Sequence, residues 1–265
     1  MRKTNKYKAI FLPLIINIGK KIEAKRFSDP PIFIGGCARS GTTLLLSILS
    51  SHRELFCIPK ELGLFNEVAK DENGNSLPLR IDRLYTSLII NRIPKHAKRW
   101  CEKSPGNIHH IGDIENYFHG NFRFIQIIRD GRDVILSKHP VAKDAYWVSP
   151  ERWVKDVSAG LDNFKHPRVH TIKYEDLVLD YDHTIKGICT FLNITVSEEI
   201  LNWHRNAVVT RNRAYYSRVE QLSNRSIGKW KKAEYKGRVA EFMRNQEAVK
   251  LLERLDYRSE TQHPW

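Results

Sequence analysis

Ile32–Ile34 is a short apolar run, and the chain changes period immediately after it. Beyond a glycine-rich turn, Leu45, Leu46 and Leu49 recur at helical spacing within residues 42–50. This predicts a strand buried on both faces that feeds a helix. The same succession returns at Arg123–Ile128, followed by the turn Arg129-Asp130-Gly131 and a helix starting near Arg132. A third strand is expected at Val169–Lys173, then helices near 182–192 and 197–206. Residues 79–91 read as a helix after a polar, turn-rich loop at 71–78. A polar, Arg-rich stretch (205–236) leads to a last amphipathic helix over 237–255. Strands alternating with helices predict an α/β fold with a mostly parallel, doubly wound sheet. In such sheets ligands bind beyond the carboxyl ends of the strands, where both the glycine-rich turn and Arg129 fall.

The turn after the first strand carries chemistry. Gly36-Cys37-Ala38-Arg39-Ser40-Gly41-Thr42-Thr43 has the G-x-x-x-x-G spacing of a phosphate loop, but Thr42 stands where a nucleotide triphosphatase places lysine. Loop amides and the following helix N-terminus still suit an anion, with Arg39 as the cation inside the loop. The fold expected is therefore a P-loop-type three-layer one, a central sheet flanked by helices. The missing lysine argues against ordinary ATP or GTP hydrolysis.

Arg129, first past an apolar strand, projects a guanidinium toward the same crevice. Ser137, eight residues on and read as lying in the following helix, adds a hydroxyl. Read alone, Arg129 and Asp133 would make a surface ion pair. With a phosphate loop upstream, a second phosphate site is the better reading, and two separated anion sites suit a nucleotide phosphorylated at two positions. Lys103 stands in Trp100-Cys101-Glu102-Lys103-Ser104-Pro105, read as a loop from which it reaches a ligand. Glu61, beside Lys60, is surface decoration without further context.

Composition bounds the rest. The 265 residues, 41% hydrophobic and 10% aromatic, suit a globular core. The net charge of +14 is uneven: residues 1–29 hold eight Lys/Arg and two acids, residues 204–258 fourteen and six. No nucleic-acid motif accompanies it, so an anionic cofactor, membrane surface or acidic acceptor is favoured over nucleic acid. The organisation expected is a basic N-terminal segment (1–29), one domain (30–258) and a short tail (259–265). Within the first, Ala9–Gly19 is apolar but too short to span a bilayer. It reads as a helix docked on the domain, or as an interfacial anchor through residues 1–27 with its lysines among headgroups. The four cysteines lack C-x-x-C spacing and no H-E-x-x-H occurs, so no metal is expected.

Together these stretches resemble the sulfotransferases that use 3′-phosphoadenosine-5′-phosphosulfate (PAPS), in particular the tyrosylprotein sulfotransferases and bacterial relatives with a P-R-S-G-T-T loop. The matching segments are 35–43 with downstream His52, Glu102–Pro105, Phe124–Asp133 through Ser137, Tyr174-Glu175-Asp176-Leu177 and Ser226-Ile227-Gly228-Lys229-Trp230. Ala38 replaces the usual proline. The resemblance implies that loop 36–43 holds the 5′-phosphosulfate and that Arg129 and Ser137 hold the 3′-phosphate. Tyr174 would lie by the nucleotide, with Ser226, Lys229 and Trp230 as its cover. Arg39 and Lys103 would stabilise the transferring group. Glu61 would be the base, once a one-residue insertion that otherwise aligns Lys60 is allowed. PAP would be the product, no metal is implied, and the acceptor is a glycan, glycolipid or tyrosine hydroxyl attacked in line. The resemblance also places Cys57 and Cys101 where relatives carry a disulfide; a bridge would imply a Golgi-type lumen, and thiols a cytoplasmic or membrane-associated protein. The competing readings are a P-loop kinase using ATP and an inactive basic glycan- or membrane-binding protein.

Overall fold

A computed structural model describes residues 6–139, 142, 144–210 and 222–257. Residues 1–5, part of the Arg-rich stretch (211–221) and the tail 259–265 lie outside the described residues. Five strands form a parallel sheet in the order β2-β5-β1-β6-β7: β1 (Ile32–Gly35), β2 (Leu55–Cys57), β5 (Arg99–Lys103), β6 (Arg123–Ile128) and β7 (Val169–Lys173). A small antiparallel hairpin, β3 (Val68–Lys70) and β4 (Ser76–Pro78), occupies the region read as a loop. The early helices are α1 (Lys6–Arg26), α2 (Thr42–Leu49), α3 (Asp82–Ile90), α4 (Ile111–Tyr117), α5 (Gly131–Val134) and α6 (Pro150–Leu161). After β7 come α7 (Tyr174–Leu179), α8 (Tyr181–Leu192), α9 (Glu198–Leu201), α10 (Trp203–Asn206), α11 (Lys236–Met243) and α12 (Gln246–Arg254).

Alternation along the buried strands divides the core between the two faces of the sheet. Ile32, Ile34, Ile125 and Ile127 pack with α2 and α8, whereas Phe33, Trp100 and Phe124 pack with α3 and α4. The Phe33 and Trp100 rings meet edge to face at 5.3 Å, a contact worth about 0.5–1.5 kcal/mol beyond its area. The second face is closed by α1, which buries Ile15, Ile16 and Ile22 there. Glu23 accepts the Trp100 indole N–H at 2.7 Å, and Arg26 donates to the Ile93 carbonyl at 2.7 Å. Helix α1 is therefore docked on the domain through residues 15–26. Among the described residues no helix is long and apolar enough to cross a membrane.

Several boundaries differ from expectation, each for a local reason. Residues 99–103 form a fully buried central strand, not a loop. Its charged side chains hide its period: Arg99 pairs with Asp29 at 2.9 Å, and Glu102 and Lys103 are buried among partners described below. The helix after Arg129 lasts only four residues, so Ser137 lies beyond it and accepts the Trp147 N–H on its carbonyl at 2.9 Å. The helix expected at 197–206 is broken at Asn202, and the last one at Arg244-Asn245, where the Asn245 side chain caps α12. Helix α6, unforeseen, begins with a Ser149 cap and Pro150 in its first turn.

Candidate active site

The carboxyl ends of β1, β5 and β6 converge on one crevice. The loop from Gly36 to Thr43 leaves β1 through two backbone conformations that favour glycine, φ +145° at Gly36 and +98° at Gly41. Neither position has room for a side chain. A Cβ on Gly36 would lie 2.3 Å from the Ile127 carbonyl oxygen, and one on Gly41 would lie 2.5 Å from the Tyr174 ring. Arg39 also takes a left-handed backbone, φ +73°, with its carbonyl turned out of the loop. Ser40 is wholly buried at the loop's centre, and its hydroxyl has no hydrogen-bond partner among the described residues. A buried polar atom left unpaired costs about 1–3 kcal/mol, which a bound anion would relieve.

Arg129 clamps this loop from the end of β6. It is buried, which excludes a surface pair with Asp133, and it donates to the Arg39 carbonyl at 3.0 Å and to the Ser226 carbonyl. Its guanidinium lies 4.4 Å from the centre of the Tyr174 ring, and the Tyr174 hydroxyl bonds Ser226 Oγ at 2.7 Å. Its Nε is buried with no partner. Asp133 instead accepts the Gly228 and Trp230 amides at 2.7 and 3.1 Å, pinning segment 226–230. Burial pushes the Asp133 carboxyl up, against the pull of the Arg129 charge.

Lys103 ends β5 almost wholly buried. Its Nζ donates to Thr43 Oγ1 at 3.1 Å and pairs with the Glu61 carboxylate. Next to it, fully buried Glu102 accepts Leu62 N–H at 2.9 Å, Ser104 Oγ at 2.6 Å and Asn107 Nδ2 at 2.7 Å. Desolvation raises the Glu102 pKa, with those three donors and Lys103 opposing. Glu102 thus fixes the segment that presents Glu61. The loop, Glu61 and Ser104–Gly106 line a cavity of ≈390 Å³, whose far wall carries Asn66, Arg83, Trp147 and Arg152.

Arg39, Thr42, Thr43, Glu61, Lys103, Arg129, Tyr174 and Ser226 are thus gathered around one loop. Lys60 is exposed and does not line the cavity. Among the described residues no hydrogen bond joins Ser137 to Arg129. Trp230 is turned inward: the Arg132 guanidinium lies 3.7 Å from its ring centre, and the ring packs in the core with Phe242. Buried His52 holds the Thr195 carbonyl at 2.9 Å. The structure has four free thiols, and Cys57 and Cys101 are register partners on β2 and β5. The sequence reading gave no role to Glu102, Arg83, Trp147 or Arg152. Only α6, through its Ser149-Pro150 start, left a signal that could have led to Arg152.

The model of the sulfotransferase family matches residues 30–82 and 72–198, which contain the phosphate loop, Glu61, Lys103, Arg129 and Tyr174. The chain belongs to the sulfotransferase family. It is 31% identical over 195 residues to a putative protein-tyrosine sulfotransferase of Caenorhabditis briggsae, covering 65% of this chain and 69% of that protein. To protein-tyrosine sulfotransferase 2 of Gallus gallus it is 27% identical over 225 residues, 75% of this chain but only 60% of the chicken protein. Among solved structures, the sulfotransferase domain of the Synechococcus PCC 7002 olefin synthase aligns over 88% of this chain and 96% of that one, with TM-score 0.62 and 19% identity. Mouse sulfotransferase SULT7A1, crystallised with PAP, aligns over 91% and 94%, with TM-score 0.54 and 15% identity. At these identities the structures share the sulfotransferase fold.

Proposed function

We propose that the chain transfers the sulfuryl group of PAPS to a hydroxyl acceptor and releases PAP. The observation that carries this reading is two buried polar atoms without a partner at one loop, Ser40 Oγ within it and Nε of Arg129, which clamps it. We read the first, with the loop amides, and the second as two anion-receiving centres. The residues present fit a nucleotide bearing phosphate at both ends. Loop 36–43 would hold the 5′-phosphosulfate, and Arg129 with Tyr174 and Ser226 the 3′-phosphate end. Bound there, PAPS supplies a sulfuryl group on a phosphate leaving group.

The chain's own side chains supply positioning and charge, as they do for phosphoryl transfer. Lys103 spans the loop and the cavity, bonding Thr43 on one side and Glu61 on the other. It therefore places positive charge where negative charge grows as the bond to the leaving oxygen breaks. Arg39, inside the loop, adds a second cation in place of the missing lysine. Glu61 faces the cavity and takes the acceptor's hydroxyl proton, an effect of about 10²–10⁴-fold. The far wall of Trp147, Arg83 and Arg152 suits an aromatic hydroxyl in acidic surroundings. With relatives named as protein-tyrosine sulfotransferases, this favours a peptide tyrosine over a glycan or glycolipid acceptor.

Incubation with ³⁵S-labelled PAPS and separate tyrosyl-peptide, glycan and lipid fractions tests the proposal. Label is expected in the tyrosyl peptides. Label in glycans alone would keep the reaction and replace the acceptor. No transfer, with stabilisation by ATP–Mg²⁺ but not by PAP, would favour the P-loop kinase reading instead.

A further inference from the structure

Helix α1 carries apolar side chains beyond its buried face. Ile15, Ile16 and Ile22 point into the core, while Leu14 and Ile18, on the flank of that face, are 51% and 41% exposed. Positions 14, 18, 21 and 25 fall on one stripe at helical spacing, so Leu14 and Ile18 run into Lys21 and Lys25, both exposed. Exposed apolar side chains that are contiguous on a surface mark a contact site. Among the described residues nothing in this chain covers the outer stripe. The exposure is also local. Of ten exposed large apolar side chains among the described residues, seven belong to α1 or to residues 77–90, which contain the helix α1 packs against.

The basic end of the stripe opens into a groove of ≈460 Å³ that includes Lys25, Arg26, Arg53, Lys95 and Lys98. Its one acid, Glu54, is taken by Lys98 at 2.6 Å, and Lys21, Lys25 and Lys95 make no ion pair among the described residues. Ser28, Glu54 and Lys98 of the groove lie just before β1, β2 and β5, at the end of the sheet opposite to the loop and Lys103.

We propose that α1 and this groove form a docking face for an anionic lipid bilayer, with Leu14 and Ile18 entering the headgroup boundary and Lys21, Lys25 and Lys95 among the headgroups. Apolar residues passing into unpaired lysines on one stripe match a bilayer's layering from acyl chain to anionic headgroup. The helix lies on the surface rather than across it. The catalytic crevice, at the far end of the strands, then faces away from the membrane. The inference is independent of the reaction proposed above.

The full chain is sedimented with vesicles of phosphatidylcholine alone and with phosphatidylserine added. Binding is expected only with phosphatidylserine and should weaken as salt is raised. Lys21→Gln/Lys25→Gln should lower it roughly fivefold per lysine, and Leu14→Asp/Ile18→Asp should abolish it. The lysine pair points outward, so its thermal midpoint and its nucleotide affinity should remain those of the wild type, separating lost docking from lost fold. Absence of binding to anionic vesicles would overturn the proposal, as would binding unchanged in both variants. So would a vesicle-free dimer dissolved by Leu14→Asp/Ile18→Asp, which would assign the face to a second copy.

Discussion

Two buried cations end the strands on either side of β1, and they are held in opposite ways. Lys103, at the end of β5, is held by side chains, the Thr43 hydroxyl and the Glu61 carboxylate. Arg129, at the end of β6, is held by backbone, the carbonyls of Arg39 and Ser226. A cation bonded to side chains at a cavity wall can be removed with the surrounding chain path intact. One bonded to two carbonyls ties the phosphate loop to segment 226–230. The first should therefore report on turnover and the second on nucleotide binding.

The largest effect falls on the cavity side. Glu61→Gln should reduce turnover by about 10²–10⁴-fold at saturating PAPS, measured by sulfate transfer, while PAP affinity stays within a few-fold of wild type. Lys103→Ala follows, at about 10²–10³-fold in turnover, again with little change in PAP affinity. A large loss of PAP affinity in Lys103→Ala would erase the contrast between the two cations. Arg129→Ala should behave the other way. Loss of charge-assisted hydrogen bonds of about 1.5–3 kcal/mol weakens PAP by roughly 10–100-fold in calorimetry.

Glu102 sharpens the comparison at the smallest scale, because it supports the Lys103 side without touching the crevice. Its pKa is raised above 4.5 by burial, so the folded state favours the protonated form. Its contribution to stability is present below the ordinary carboxyl pKa and is lost as pH rises through the raised value. Glu102→Gln cannot ionise. Its thermal midpoint should therefore change less than that of the wild type as pH rises from about 4 to 7, a relative gain of about 2–4 °C for each kcal/mol.

The same contrast explains what could be read from the sequence. Strands β1 and β6 are apolar runs followed by turn residues, and they end at the loop and at Arg129, so that half of the site was legible. Strand β5 was not. Three of its five residues are charged, and a buried strand reads as polar when Asp29, Leu62, Thr43 and Glu61 satisfy those charges from distant parts of the chain, with Ser104 and Asn107 adding to Glu102 from nearby. The packing of Trp230 was not legible either: the resemblance offers it as part of a cover, while its place over the Arg132 guanidinium and in the cluster that holds Phe242 depends on elements far along the chain. Arg83, Trp147 and Arg152 meet only because α3, the segment before α6 and α6 itself close over the loop, a long-range arrangement with no local pattern.

The central claim is that the crevice holds two anions at separate centres, with Arg129 reading the second. A calorimetric cycle tests it most directly, comparing PAP with AMP, which lacks the 3′-phosphate, on the wild-type chain and on Arg129→Ala. The account predicts that the wild type binds PAP more tightly than AMP, and that Arg129→Ala loses at least tenfold more affinity for PAP than for AMP. Equal losses for the two nucleotides would contradict it, leaving Arg129 as a clamp on the loop and the crevice with a single anion centre.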